Sequence, residues 1–160
     1  MITVKVTDRG GLVASQTASP GALMVRAFFA AGGFSGTGLD QISGIAMAES
    51  WSSVAKTGGF IDAVGDLTLV DAKWGPSVGL VQIRTLKDPY AWGALDRWRD
   101  AKKLKDPLFY AQAAYALSKQ GTDFTAWSVF KNNNPTYLAN VGKDFQLRVG
   151  HERALSWPAT

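Results

Sequence analysis

The chain has 160 residues, 46% of them hydrophobic and 19% charged, with a formal net charge of +4 and no cysteine. That length can bury a substantial core without covalent staples, and the absence of cysteine excludes a disulfide framework and any thiolate metal site. A single histidine, His151, leaves too few ligands for a zinc centre, so neither a metal nor a cofactor is expected. The basic balance, with a pI near 9.4, suits polyanionic surroundings without naming one.

The N-terminal MITVKVTDRGG lacks a basic start followed by a long apolar core, so no secretory leader is read there. Ile2, Val4 and Val6 alternate with Thr3, Lys5 and Thr7, a short strand closed by Arg9-Gly10-Gly11. Residues 1–18 are thus read as a strand and a polar lead-in. Ser19 and Pro20 fit the cap and first position of a helix reaching about Ala31. Arg26 interrupts that apolar run, which is too short to span a bilayer, and no stable membrane insertion is expected. After the break at GGFSGTG, a second helix is predicted from Gly38 to Trp51, with Leu39, Ile42, Ile45 and Ala46 on one face.

The Gly- and Ser-rich SSVAKTGGFIDAVG reads as loop, and DLTLVDAKWGPSVGLVQIR as two short strands around a turn. Leu67, Leu69 and Asp71 alternate before the break at Gly75-Pro76-Ser77; Val78, Leu80 and Gln82 alternate after it. From Asp88 onward the pattern is helical: one helix over PYAWGALDRWRDAKKL, one from Pro107 to Lys119, one from Asp123 to Asn132, and a last from Pro135 to Ala154. In that last helix Leu138, Val141, Phe145 and Val149 form one stripe. No repeat or linker divides the sequence. The expectation is a single, mainly α domain over residues 1–160, monomeric, with a small central β-hairpin.

Only two glutamates occur, Glu49 and Glu152, and Glu49 continues the apolar row of its helix. Patterning leaves two readings: a rim residue escaping to water, or an acid whose apolar site raises its pKa enough to donate a proton near neutrality. The aromatics Trp51, Trp74, Tyr115, Trp127 and Phe130 are numerous enough to line a sugar groove as well as a core. Glycosidases add a second carboxylate, at about 5–5.5 Å when retaining or about 6.5–9.5 Å when inverting. Asp66 and Asp71 are the available partners, with Asp71 preferred as the nearer to the turn.

Two other motifs compete. Gly75-Pro76-Ser77-Val78-Gly79 matches the nucleophile elbow of serine hydrolases, with His151 in the right chain order. That chemistry needs a strand, a strained turn and then a helix, whereas here a strand pattern continues past Ser77, making the serine hydrolase a remote alternative. Arg97-Trp98-Arg99, with Lys102, Lys103 and Lys105, is the densest basic patch. Asp96, Asp100 and Asp106 interleave with it, which fits the solvated face of a helix with Trp98 turned inward, so no nucleic-acid partner is expected.

Glu49-Ser50, then Gly79-Leu80-Val81-Gln82-Ile83, then an Ala-rich helical tail resemble the soluble lytic transglycosylase and goose-type lysozyme group. The stretch DLTLVDAKWGPSVGLVQIR, with FYAQAAYALSKQGTDFTAWSVF, is similar to cell-wall-lytic domains of phages infecting actinobacteria, and the likeness covers about residues 38 to 131. The resemblance implies an α+β lysozyme-like fold whose hairpin lines a cleft, and cleavage of the β-1,4 bond between MurNAc and GlcNAc in bacterial peptidoglycan. It would make Glu49 the general acid and then the base, Ser50 a ligand of the sugar or its peptide, and Gln82 a hydrogen-bonding partner of substrate. Tyr115, Trp127 or Phe130 would pack beside the glutamate. The chain departs from the group in carrying Ala126-Trp127-Ser128-Val129-Phe130 where A-Y-N-A-G is usual. It also carries Tyr110-Ala111 where the related phage domains tend to have Asn-Ala. No second carboxylate transfers, so hydrolysis assisted by Asp71 and transglycosylation through the sugar's 6-hydroxyl both fit. A non-catalytic glycan-binding module of the same fold is the rival from another class. The expected setting is synthesis in a host cytoplasm without a signal peptide, followed by action at the cell wall after release or delivery.

Overall fold

The computed structural model describes residues 2–7, 13–18, 23–51, 59–60 and 70–148. Strand β1 (Ile2–Thr7) pairs antiparallel with β2 (Val13–Ala18), in register from Ile2↔Ala18 to Thr7↔Val13. The second strand falls in the stretch read as polar lead-in. Its sequence, VASQTA, gives no clear apolar alternation to read.

Strand β3 (Leu23–Met24) runs directly into helix α1 (Val25–Ala31). The helix therefore begins at Val25, not near Pro20, with extended Met24 at its cap. Arg26 pairs with Asp40 at 2.6 Å, which ties α1 to the next helix although both side chains are partly exposed. Helix α2 (Gly36–Ala46) follows and passes without a break into a π-helical turn, Met47–Trp51. Ile42, Ile45 and Ala46 are fully buried on the face read from the sequence, and Leu39 is half-buried. Each of the two isoleucines contributes roughly 1.5–3 kcal/mol by that burial, which fixes the rotation of α2 and hence the direction in which its last turn points. After β4 (Gly59–Phe60), strands β5 (Trp74–Val78) and β6 (Ile83–Leu86) form the hairpin.

The hairpin register differs from the expected one. The break at Gly75-Pro76-Ser77 lies inside β5, and Gly79 to Gln82, read as a second strand, form the turn. Pairing joins Val78↔Ile83 and Ser77↔Arg84, then shifts before Trp74↔Leu86. A bulge at Pro76 accounts for this, since proline lacks the N–H that a regular ladder requires. Leu67 and Leu69 lie outside the described residues.

Downstream, the predicted helix over residues 89–104 is replaced by turns and two 3-10 segments, Asp96–Arg99 and Lys103–Lys105. The Asp100 carboxylate accepts from the backbone N–H groups of Lys102 and Lys103, at 2.9 and 3.2 Å. Such local bonds compete with helical ones. Helix α3 (Pro107–Leu117) starts where expected, with Asp106 capping the Phe109 N–H and Pro107 at its first position. Helices α4 (Ser128–Lys131) and α5 (Pro135–Asn140) are shorter than predicted. The last helix stops because Gly142 has φ of 81° and the chain then extends into β7 (Gln146–Arg148). Leu138 and Val141 are consequently exposed and do not share a buried stripe with Phe145. β7 lies between β3, antiparallel, and β4, parallel.

The core sits where α1 crosses α3. A side chain at Gly32 would come within 2.5 Å of the Ala111 backbone, so the two helices meet at backbone distance. Phe28, Phe29 and Phe34 stack edge to face beside that crossing, and Phe124 closes the cluster. The result is an α+β domain in which α2, its π turn and the β5–β6 hairpin face one another. Among the described residues, no helix is long and apolar enough to cross a membrane.

Candidate active site

Glu49 emerges from the π turn at the end of α2 into a cavity of about 370 Å³. The hairpin supplies one wall through Ser77, Gln82, Ile83 and Arg84, and Arg99 reaches in from the first 3-10 segment. Leu117, Ala126, Trp127 and Ser128 supply the rest. Burial pushes the Glu49 carboxyl from its ordinary 4.5 up to about 7, because a charge there loses hydration. A group so poised is present in both protonation states near neutral pH. Glu49 is thus half-buried in a cavity wall and does not stand free at a solvated rim. The π turn adds a residue to the helical repeat at this point, and such insertions are frequent at functional sites.

Three separate elements hold the hairpin turn against Glu49. The Tyr110 hydroxyl of α3 donates to the Val78 carbonyl at 2.7 Å and accepts from the Val81 N–H at 3.0 Å. Ser50 Oγ donates to the Leu80 carbonyl and lies 3.4 Å from that of Gly79. Trp127 Nε1 donates to the Val81 carbonyl at 2.7 Å. Each bond stabilises by about 1 kcal/mol net, and losing one leaves a buried group unpaired at about 1–3 kcal/mol. Burial also raises the Tyr110 pKa, keeping its hydroxyl protonated for the Val78 bond. Gly79 is dictated by both space and dihedral: its φ is 78°, and a Cβ would lie 2.4 Å from the Tyr110 ring.

Gln82 ends the turn with φ of 50°, an uncommon conformation for a residue with a side chain. Its Nε2 donates back to the Gly79 carbonyl at 2.9 Å, and its side chain lines the cavity. Glu49, Gln82 and Trp127, all singled out from sequence, therefore meet at one cavity. Ser50 and Tyr115 do not line it: Ser50 is fully buried against the turn, and the Tyr115 ring packs on Phe34 at 5.2 Å. Phe130 packs on Phe124 and Tyr137. Asp71 is exposed, and its carboxylate accepts from the N–H groups of Trp74 and Lys73, at 2.7 and 2.8 Å. Those bonds hold its pKa below the usual range, and it is not part of the cavity wall. Asp66, His151, Glu152 and the Trp51 side chain lie outside the described residues.

Ser77 faces the cavity from near the end of β5, opposite Arg84, and the chain returns through a turn into another strand. The strand-turn-helix of a nucleophile elbow is thus absent around it, which corrects the serine-hydrolase alternative. The basic patch also divides. Trp98 is buried as read and Arg97 lies over its ring at 4.6 Å, whereas Arg99 turns inward to the cavity. Among the described residues, no group of three or more His, Cys, Asp or Glu side chains could hold a metal ion.

Arg84 was not singled out from the sequence, whereas Ser77, Tyr110 and Arg99 were named there in other roles: a hydrolase nucleophile, a departure from the related domains and part of a solvated basic patch. Tyr110 read as one more core residue of an Ala-rich helix. Arg84 carried a usable signal, standing two residues beyond Gln82 at strand spacing.

Neither the curated proteins nor the solved structures include a match to this chain. The lysozyme-like domain family matches residues 26–129, well over half of the sequence, from α1 through the hairpin to α4. The matched span contains Glu49, the pinned turn and Trp127, and the family consists generally of peptidoglycan-acting enzymes. This chain belongs to the lysozyme-like domain family.

Proposed function

We propose that the chain cleaves the β-1,4 bond between MurNAc and GlcNAc in bacterial peptidoglycan, with Glu49 as the acid and then the base. The observation that carries this reading is a carboxyl with a pKa near 7 in a cavity of about 370 Å³, the poise that acid–base catalysis at neutral pH requires. Protonated Glu49 gives its proton to the glycosidic oxygen as the C1–O bond breaks, and the GlcNAc 4-hydroxyl leaves. The sugar's own 2-acetamido oxygen covers C1 meanwhile, a substrate-assisted route that needs no enzyme nucleophile. Ionised Glu49 then takes the proton of the MurNAc 6-hydroxyl as its oxygen bonds to C1. Glu49 is protonated again, the product carries a 1,6-anhydro end, and no water is consumed.

Transglycosylation is favoured over hydrolysis because Glu49 is the one carboxylate lining the cavity among the described residues, while Asp71 is engaged in its own turn. Gln82 and Trp127 are assigned to sugar contact from the wall. Ser50 and Tyr110 act through the turn as positioning residues. The raised carboxyl argues against a non-catalytic module, since binding alone gains nothing from a half-protonated glutamate. By its motifs we assign the domain to a phage lysin that reaches the wall after release or delivery.

Mass spectrometry of soluble products from purified peptidoglycan tests this. Anhydromuramyl ends, lighter by one water, are expected. Reducing MurNAc ends would replace transglycosylation by hydrolysis, and no glycan products at all would overturn the proposal.

A further inference from the structure

Strand β6 ends at Leu86, which pairs with Asp100 through an isolated parallel bridge. The chain between them, Lys87–Arg99, is therefore a surface loop closed at its base, a form that is frequently functional. Three contacts hold it in place. The Lys87 N–H donates to the Lys73 carbonyl at 2.9 Å, the Tyr90 N–H donates to the Lys87 carbonyl at 2.7 Å, and Trp98 is buried against Phe109 with ring centroids 5.0 Å apart. Between those anchors the loop leaves Trp92 74%, Leu95 50% and Tyr90 45% exposed. Trp92 is the most exposed large hydrophobic among the described residues. One exposed apolar residue is ordinary, but three close together on one loop make a patch of the kind that marks a binding surface.

The same loop reaches the Glu49 cavity, whose wall Arg99 joins. A second cavity, of about 290 Å³, opens at the base of the loop and is lined by Lys87, Asp88, Asp100 and Lys102. Its wall begins one residue past Arg99 on one segment and two past Arg84 on the other, about 7 Å along β6. Two cationic and two anionic side chains balance its charge, and the Asp100 carboxylate accepts from the Lys102 and Lys103 N–H groups. Such a lining favours neither an anion nor an apolar partner. It suits a neutral ligand rich in hydroxyl and amide groups, whose C–H faces stack on the negative face of an aromatic ring.

We propose that the Lys87–Arg99 loop is a glycan subsite, in which a hexosamine ring of the wall strand, beyond the pair joined at the cut bond, stacks on Trp92 with Tyr90 beside it. This rests on the peptidoglycan reading of Glu49 and deepens it. One anchored loop would then touch the strand both at the reacting bond, through Arg99, and farther along it.

The test measures binding by titration calorimetry in a Glu49→Gln background, so that turnover does not intervene. The ligand is an octasaccharide of alternating GlcNAc and MurNAc freed of its peptide stems. Trp92→Ala should weaken it by roughly three- to tenfold, the scale of one ring-stacking contact. Trp92→Phe, which keeps a ring, should recover part of that loss. Because Trp92 is exposed, both variants should unfold in urea at the parental midpoint. With Glu49 restored, Trp92→Ala should raise KM on soluble glycan strands more than it lowers kcat, as expected where binding is lost away from the reacting atoms. Unchanged octasaccharide affinity in Trp92→Ala, or a loss confined to kcat, would overturn the subsite. So would unchanged glycan affinity with lost binding to phosphatidylglycerol vesicles, which would make the patch a membrane contact. Failure of the Glu49→Gln parent to bind the octasaccharide would overturn the peptidoglycan reading itself.

Discussion

Replacing Glu49 by glutamine preserves size and hydrogen-bonding reach while removing the ionisation that burial opposes. The folded carboxyl titrates at about 7 against an ordinary 4.5, so the fold favours the protonated form. That contribution is fully present below pH 4.5 and is lost as pH rises through about 7. Above that point the native state must hold a desolvated carboxylate, at a cost of about 3 kcal/mol for a displacement of this size. Water at the cavity mouth reduces it, so Glu49→Gln should be more stable than the parent at pH 8 by roughly 2–3 kcal/mol, or roughly 5–10 °C in Tm. At pH 4 the two should agree within about 0.5 kcal/mol. Urea unfolding followed by tryptophan fluorescence at the two pH values measures this directly. The same difference at both pH values, or a less stable variant at pH 8, would refute burial as the cause of the raised pKa.

Gly79→Ala should destabilise by roughly 2–4 kcal/mol, through an unfavourable φ and overlap with Tyr110, read as a lower urea midpoint. Tyr110→Phe leaves the Val81 N–H and Val78 carbonyl without their partner. It should cost roughly 1–3 kcal/mol and also slow peptidoglycan solubilisation, because Gln82 rides on the same turn. Asp71→Asn should keep near-parental turnover on purified peptidoglycan, since Asp71 is exposed and is not among the residues that line the cavity. A large loss would reinstate it as a second carboxylate.

What could be read in advance followed from strong local signals. The apolar row Ile42, Ile45, Ala46 placed Glu49 on the inward face, and burial of those residues turns it toward the cavity. Asp106-Pro107 marked a helix start because cap and proline act within one turn of the backbone. The hairpin register was misread because Pro76 suggests a break, whereas a bulge absorbs it inside β5. The helix expected over residues 89–104 failed where Asp100 binds backbone N–H groups that a helix needs. Arg99 was hidden by the rule that charged runs are solvated: its guanidinium lies over Trp74, twenty-five residues away in sequence. Tyr110 gave no sign of its role, since a hydroxyl aimed at a distant turn leaves no periodic trace.

The central claim is that Glu49 is the acid and base of peptidoglycan cleavage, and its most direct test is the rate of solubilisation of purified peptidoglycan from pH 5 to pH 9. Wild type and Glu49→Gln are compared at equal, verified folded concentration. Wild-type activity should decline as pH rises through about 7, and the variant should be slower by about 10²–10⁴-fold, the usual worth of a general acid–base group. A Glu49→Gln protein that solubilises the wall at the parental rate would contradict it.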